Sequence, residues 1–395
     1  MRVFDQSLPP MRLDLYDQEF NRICQIGSFR TLSVTVRHGS AGSGVITVDL
    51  DHPRLVDLMT LGTRAVVDLF VGSTRADYFD ESKWIRLMSG PLNSVTAAGP
   101  LGESDYVNVT IADDWSIMSR VLAWPAPLAA IGAQTVENDE RTGPAETVVK
   151  GLISDNVVSR LGLPFTVAAD QGRGADITTS ARFDTIADLV ADSSAAAGIG
   201  VSFTQSGASV VVDAYEPVDR SARVVFGAPY GNVTDWMLTR SDPTGTRAVI
   251  GGDGDGTSQV LSTAVDPSGE ETSWGTVCEV YLDGTGTDTA ALTSYGLTQL
   301  ASTQSGTAVD ASTIEVPAVR FGVHYWVGDT VAVWLTDDLQ VTEQVSEVTV
   351  TWNSDEGLQV TPQIGDTAST QTPSATLAAA ISRLGRGVRR MRTRR

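Results

Sequence analysis

A mainly β fold, with an α+β module set between two small β-barrel-like domains, is predicted by three observations. Short runs near both ends alternate apolar and polar residues, the period becomes helical between residues 126 and 220, and Gly, Pro and Asp separate almost every run. With 395 residues, 42% apolar and 19% charged, the chain can bury a sizeable core. At roughly 100–200 residues per domain, that length makes two to four domains.

The first β region spans residues 1–125. Leu32, Val34 and Val36 alternate with Ser33, Thr35 and Arg37, and after the turn His38-Gly-Ser-Ala-Gly-Ser-Gly44 the same alternation returns in Ile46, Val48 and Leu50. That period of two predicts a hairpin with one wet face. Further strands are expected at Ala65 to Val71, Trp84 to Met88 and Tyr106 to Ala112. Asp113-Asp114 supplies N-cap chemistry for a short helix in which Trp115, Met118, Val121 and Leu122 share a face, and Pro125 and Pro127 stop it.

Residues 126–220 form the α+β module. Pro144 suits a first helical turn, and Ala145, Val148, Val149, Leu152, Ile153 and Val157 follow at helical spacing. A second helix is expected from Arg182 to Ala197, with Phe183, Ile186, Leu189 and Val190 inward and Gly198 as its stop. Ile199 to Phe203 and Ser209 to Ala214, parted by Gln205-Ser206-Gly207, predict a hairpin.

Residues 221–305 read as a glycine-rich, β-rich segment with a short Thr-rich helix between Thr289 and Ser302. The second barrel-like domain is expected over 306–366, where Val331/Val333/Leu335 and Val348/Val350/Trp352 alternate. Residues 367–395 are a linker and a basic C-terminal helix or tail. There Leu377, Ile381, Leu384, Val388 and Met391 recur at spacings of 4-3-4-3, opposite a face bearing Arg383, Arg386, Arg389 and Arg390. This amphipathic seam is the candidate partner-binding site.

Charge and motif content narrow the function. The formal charge is −20, yet Leu377 to Arg395 holds seven arginines and no acid, so the preceding 376 residues carry −27. Such an acidic body argues against broad phosphate gripping of nucleic acid. No run of about 18 apolar residues can span a membrane, and the N-terminus lacks the apolar core of a secretory signal. Cys24 and Cys278 are too few and too far apart for a disulfide framework.

His38, His52 and His324 are scattered and read as structural, a GxSxG elbow is missing, and neither Lys83 nor Lys150 completes a Walker loop. The acid pairs Asp113-Asp114, Glu270-Glu271 and Asp337-Asp338 are adjacent, which on a strand places their side chains on opposite faces and so is no sign of a catalytic dyad. Gly251-Gly-Asp-Gly-Asp-Gly256 departs from both the calcium-binding repeat and the dinucleotide fingerprint, and reads as a tight turn. Catalytic residues, cofactors and metals are therefore not expected.

Several segments in order nevertheless resemble a known family. These are Asp113-Asp-Trp-Ser-Ile-Met-Ser-Arg-Val-Leu-Ala-Trp-Pro-Ala-Pro127, Val249-Ile-Gly-Gly-Asp-Gly-Asp-Gly256, Tyr325-Trp-Val-Gly-Asp-Thr-Val-Ala-Val-Trp334 and Val345-Ser-Glu-Val-Thr-Val-Thr-Trp352. Together they resemble the minor tail, or baseplate tail-hub, proteins of long-tailed siphoviruses that infect actinobacteria. The chain departs from that family at Thr257-Ser258-Gln259 and Val277 to Val280, where basic residues are common.

The resemblance implies a tail-hub-like, multidomain structural protein at the virion tail tip. It implies a homotrimeric ring joining tail tube to tip, with the distal tail protein, the tape-measure protein and receptor-binding proteins as neighbours. DNA would pass through without specific binding, and an acidic lumen would repel its phosphates. The alternatives are a receptor- or carbohydrate-binding tail module, for which Trp84, Tyr230, Trp236 and Trp274 would converge on a groove, and a tail-associated cell-wall hydrolase.

Overall fold

The computed structural model describes residues 9–365, apart from Leu61, 98–105, Asp288, Ser302, 314–315, Pro317 and 337–338. It divides into two compact units, one built from residues up to Trp236 together with Ala311–Gln363, the other from Met237–Asp310.

The first unit begins with β1 (Met11–Tyr16), β2 (Arg22–Ile26), β3 (Thr31–Arg37), β4 (Ser43–Asp49), α1 (Leu55–Met59), β5 (Arg64–Phe70), β6 (Trp84–Ala97), β7 (Tyr106–Ala112) and α2 (Trp115–Met118). Pairing is antiparallel in the order β2-β1-β5-β6-β7-β4-β3. The alternation that predicts the first hairpin is what the pleat buries, since Leu32, Val34, Ile46 and Val48 are inside. Strand β5 has both faces covered, and every one of its residues is buried, Arg64 and Asp68 included. Strand β6 runs far past the expected Met88, and its second half joins a different sheet after register shifts opposite Val67/Asp68 and at Leu92/Ser94.

The module follows, with β8 (Asp139–Pro144), α3 (Ala145–Ile153), β9 (Phe165–Val167), β10 (Asp176–Ala181), α4 (Ile186–Ala197), β11 (Gly200–Ser206) and β12 (Ser209–Tyr215). Helix α3 starts after Pro144 and continues as a π-helical turn over Ser154–Ser159. Its apolar stripe (Val148, Val149, Leu152, Ile153, Val157) meets Ile186 and Val190 of α4 and the inward residues of the β11–β12 hairpin. Trp115 and Met118 of α2 join the same core, with Trp115 edge-on to Phe203, the ring centroids lying 5.1 Å apart.

Two expectations here need correction. Helix α4 begins at Ile186, capped by the Thr185 hydroxyl, because Phe183 takes a positive φ of 59° and lies 39% exposed. Helix α2 is a single turn, so Leu122 leaves the shared face and is 42% exposed. Gly198 does stop α4, at φ 67°, where a left-handed residue is needed.

Next come β13 (Val225–Gly227) and β14 (Val233–Ser241), which leads into the second unit. That unit holds β15 (Arg247–Gly251), β16 (Leu261–Val265), α5 (Glu270–Trp274), β17 (Glu279–Asp283) and α6 (Leu292–Ala301). The sheet order is β16-β15-β17, antiparallel then parallel. Leu292 and Leu300 of α6 pack on Ala248, Ile250 and Ala264. The glycine-rich stretch is the turn from β15 to β16, closed by Gly252 N–H to Val260 O at 2.7 Å and Val260 N–H to Asp253 O at 2.9 Å.

After β18 (Gly306–Thr313) the first unit is completed by β19 (Thr330–Thr336), β20 (Leu339–Asn353) and β21 (Gly357–Gly365). Strand β19 pairs in parallel with β13 and antiparallel with β20, whose far half pairs antiparallel with β3 from Glu347↔Arg37 to Asn353↔Thr31. The N-terminal and C-terminal β regions thus share one sheet. The mainly β class with an α+β module is what the structure has; among the described strands the pairing runs in order from β14 to β2, with β19 and β13 branching off at β20. Among the described residues no helix is long and apolar enough to cross a membrane.

Candidate functional site

The densest polar arrangement lies where the first β region meets the module. Arg64 in β5 donates through Nη2 to both carboxylate oxygens of Asp114, at 2.7 and 2.8 Å, and through Nε to Gln205 Oε1 at 3.1 Å. Its guanidinium also sits 4.5 Å from the centroid of the Phe20 ring. Ser89 of β6 donates to Asp114 Oδ2 at 2.7 Å and accepts from Gln205 N–H at 2.8 Å. Asp114 is fully buried. Burial pushes its carboxyl above the usual range, against the pull of Arg64 and the Ser89 hydroxyl. Four elements, β5, β6, α2 and β11, are thereby held by one charge pair and two side-chain bridges.

Asp113 sits alongside with its own role. Its two oxygens accept from Trp115 N–H at 3.1 Å and Gly42 N–H at 3.0 Å, tying the start of α2 to the β3–β4 turn. Burial raises its pKa to about 6. A Cβ at Gly42 would lie 2.6 Å from Thr35 O and 2.9 Å from Asp113 Oδ2, so only glycine lets that backbone approach the carboxylate. The pair expected to cap the helix is split: Asp113 caps, while Asp114 turns away to Arg64.

Asp113 also lines a cleft of about 70 Å³ with Arg37, Arg86, Phe203, Tyr215 and Trp326. That is the volume of a few waters, well below the roughly 300 Å³ at which ligand pockets begin. The closing strands are tied to the module nearby. Asp329 accepts from Val218 N–H at 2.8 Å, Arg220 Nε at 2.8 Å and Trp326 N–H at 3.0 Å. Tyr215 Oη contacts His38 Nδ1 at 3.1 Å and donates to Val327 O at 3.3 Å, and burial lowers the His38 pKa, favouring the neutral ring.

The other residues singled out in the sequence are also engaged. Lys150 Nζ donates to Glu146 at 2.6 Å, Asp213 at 2.8 Å and Ala169 O at 3.0 Å, a buried knot inside the module. Glu270 accepts from the Ser305 hydroxyl, and Glu271 holds Arg247 in two bonds of 2.6 and 2.8 Å. Trp84 packs on Phe70 and Tyr78 under Arg12, Tyr230 on Trp334, and Trp274 under Arg240, so these aromatics have separate settings. Among the described residues no three His, Cys, Asp or Glu side chains gather as a metal-ligating group. Asp337-Asp338 and the seam Leu377, Ile381, Leu384, Val388 and Met391, with Arg383, Arg386, Arg389 and Arg390, lie outside the described residues.

Sequence reasoning missed Arg64, Ser89 and Gln205. The available signal was charge inside an otherwise apolar strand: Arg64 and Asp68 flank Ala65-Val66-Val67 and Leu69-Phe70, and a charge within such a strand needs a buried partner. The chemistry of the junction is structural. Its carboxylates are consumed in fixing one element against another.

This layered β and α+β arrangement is the fold of phage tail proteins. The 43 kDa tail protein of prophage MuSo2 from Shewanella oneidensis superposes with a TM-score of 0.56 at 11% identity, over 89% of this chain and 98% of that one. A tail protein from Neisseria meningitidis gives a TM-score of 0.53 at 11% identity, over 91% and 97%. Residues 12–366 match the family described as Siphovirus ReqiPepy6 Gp37-like protein, and the chain belongs to that family. No curated protein matches it.

Proposed function

We propose that this chain is a structural, non-enzymatic component of the siphovirus tail tip, a baseplate hub in which three copies form a ring joining tail tube to tip. The observation that carries this reading is the extent of the likeness: the family covers residues 12–366, and two phage tail proteins correspond over 98% and 97% of their own length. The fixed junction around Arg64 and Asp114 supports it, because a ring under load needs domains that hold their angle.

In this reading the distal tail protein, the tape-measure protein and receptor-binding proteins are its neighbours. The net charge of −20 faces the channel and repels passing DNA. The test is negative-stain class averaging of the purified protein together with its mass in solution. Threefold rings with a central opening are expected. Compact monomers that clear host cell walls in a zymogram would overturn the proposal.

A further inference from the structure

The second unit presents a sheet with one face covered and one bare. Helix α6 lies on the face formed by Ala248, Ile250 and Ala264. On the opposite face Leu261, Val265 and Tyr281 are 62%, 50% and 61% exposed, with Val249 between them in the register Thr263–Val249–Tyr281. A Cβ at Gly251 would lie 2.0 Å from the Tyr281 hydroxyl, so the tyrosine reaches across the glycine. Strands β15 and β17 are parallel, and parallel pairs are ordinarily covered on both faces.

The rim of this bare face is acidic. Glu279 and Asp283 flank Tyr281 on the same side of β17, while Arg247 is already held by Glu271. Across residues 237–310 ten acids face two arginines, a net charge of −8.

We infer that the bare face of the β16-β15-β17 sheet is the docking surface for the chain's own C-terminal segment, Leu377 to Arg395. The chemistry matches twice. The segment carries an apolar seam of Leu377, Ile381, Leu384, Val388 and Met391 for the apolar centre, and seven arginines with no acid for the acidic rim. As a helix, the seam from Leu377 to Met391 is about 21 Å long, comparable to the roughly 16 Å of a five-residue strand that it would cross or follow. The eleven residues 366–376 give it a leash of up to about 40 Å. Gly385 and Gly387 weaken the isolated helix, so its order depends on the surface it meets. This inference rests on sheet, charge and seam, and holds whether or not the chain forms a ring.

Hydrogen–deuterium exchange of the full-length protein at low salt tests it. Amides of 377–391 should exchange at least about tenfold slower than in an unstructured chain. That protection should vanish in Leu261→Asp/Tyr281→Asp and in Glu279→Lys/Asp283→Lys. Adding Arg383→Glu/Arg386→Glu to the second variant should restore it, which decides the matter even if the first variant perturbs the unit. Free exchange of the segment in the wild type overturns the inference. So does protection that both face variants leave intact, the outcome expected if the seam pairs with other copies of itself.

Discussion

Replacing Arg64 by Met isolates the energetics of the junction. Asp114 is fully buried and Arg64 is its charge partner at 2.7 and 2.8 Å, so the variant strands a carboxylate in the interior. Breaking a buried pair from one side costs about 3–5 kcal/mol. With an m-value of about 3 kcal/mol/M, the urea midpoint of the first unit should fall by about 1–1.7 M. The loss must also depend on pH. Without Arg64 the Asp114 pKa, already raised by burial, climbs further above its unfolded value, so the folded state binds more protons than the unfolded one. Stability then falls as pH rises from the unfolded pKa toward the new folded one, and the deficit should be smaller near pH 5 than at pH 8. Arg64→Met/Asp114→Asn should recover part of it, because an amide still accepts from Ser89 without a charge. Denaturant titrations of the wild type, Arg64→Met, Asp114→Asn and the double variant at both pH values form the cycle. A loss below about 1 kcal/mol, unchanged between pH 5 and 8, would refute the reasoning.

Two further outcomes follow from the same region. Asp113 keeps its proton to about pH 6 when folded and to its ordinary value of 3.8 when unfolded, so it lowers stability as pH rises between those values, by about 3 kcal/mol in all. Thermal unfolding from pH 4 to 7 should show that slope, and Asp113→Asn should flatten it; an identical pH profile in both proteins would contradict the assignment. At Gly90 in β6 a Cβ would lie 1.8 Å from the carbonyl oxygen of Ala112, so Gly90→Ala must shift backbone and should cost about 3 kcal/mol or more. Its melting temperature measures this, and a change under about 2 °C would show that β6 yields more readily than its packing implies.

Much of the fold was legible because local pattern and burial agree. The β3–β4 and β11–β12 hairpins follow from alternation, and α3 from the spacing of its apolar residues, since short-range geometry alone selects which side chains go inside. Strand β2 gives little local signal because it alternates only at Cys24 and Ile26, whereas β1 does carry the pattern, with Met11, Leu13 and Leu15 buried in alternation. The α4 boundary failed at Phe183, whose apolar character suggested burial while its positive φ ends the helical path. The junction was hidden for a different reason. Arg64, Ser89, Asp114 and Gln205 lie 25 to 141 positions apart when bonded, and nothing local in the chain marks a partner at such a distance.

The pairing of β3 with β20 has a consequence for synthesis. Ser33 and Thr351, whose hydroxyls meet at 2.8 Å across that ladder, are separated by 318 positions. At about 5–20 residues per second, β3 leaves the ribosome some 15–60 s before its neighbour exists. During that interval its outer edge is a row of unpaired backbone groups, available to any other nascent strand. A chain ended by a stop codon before Glu347, where the ladder begins, would keep that edge unpaired.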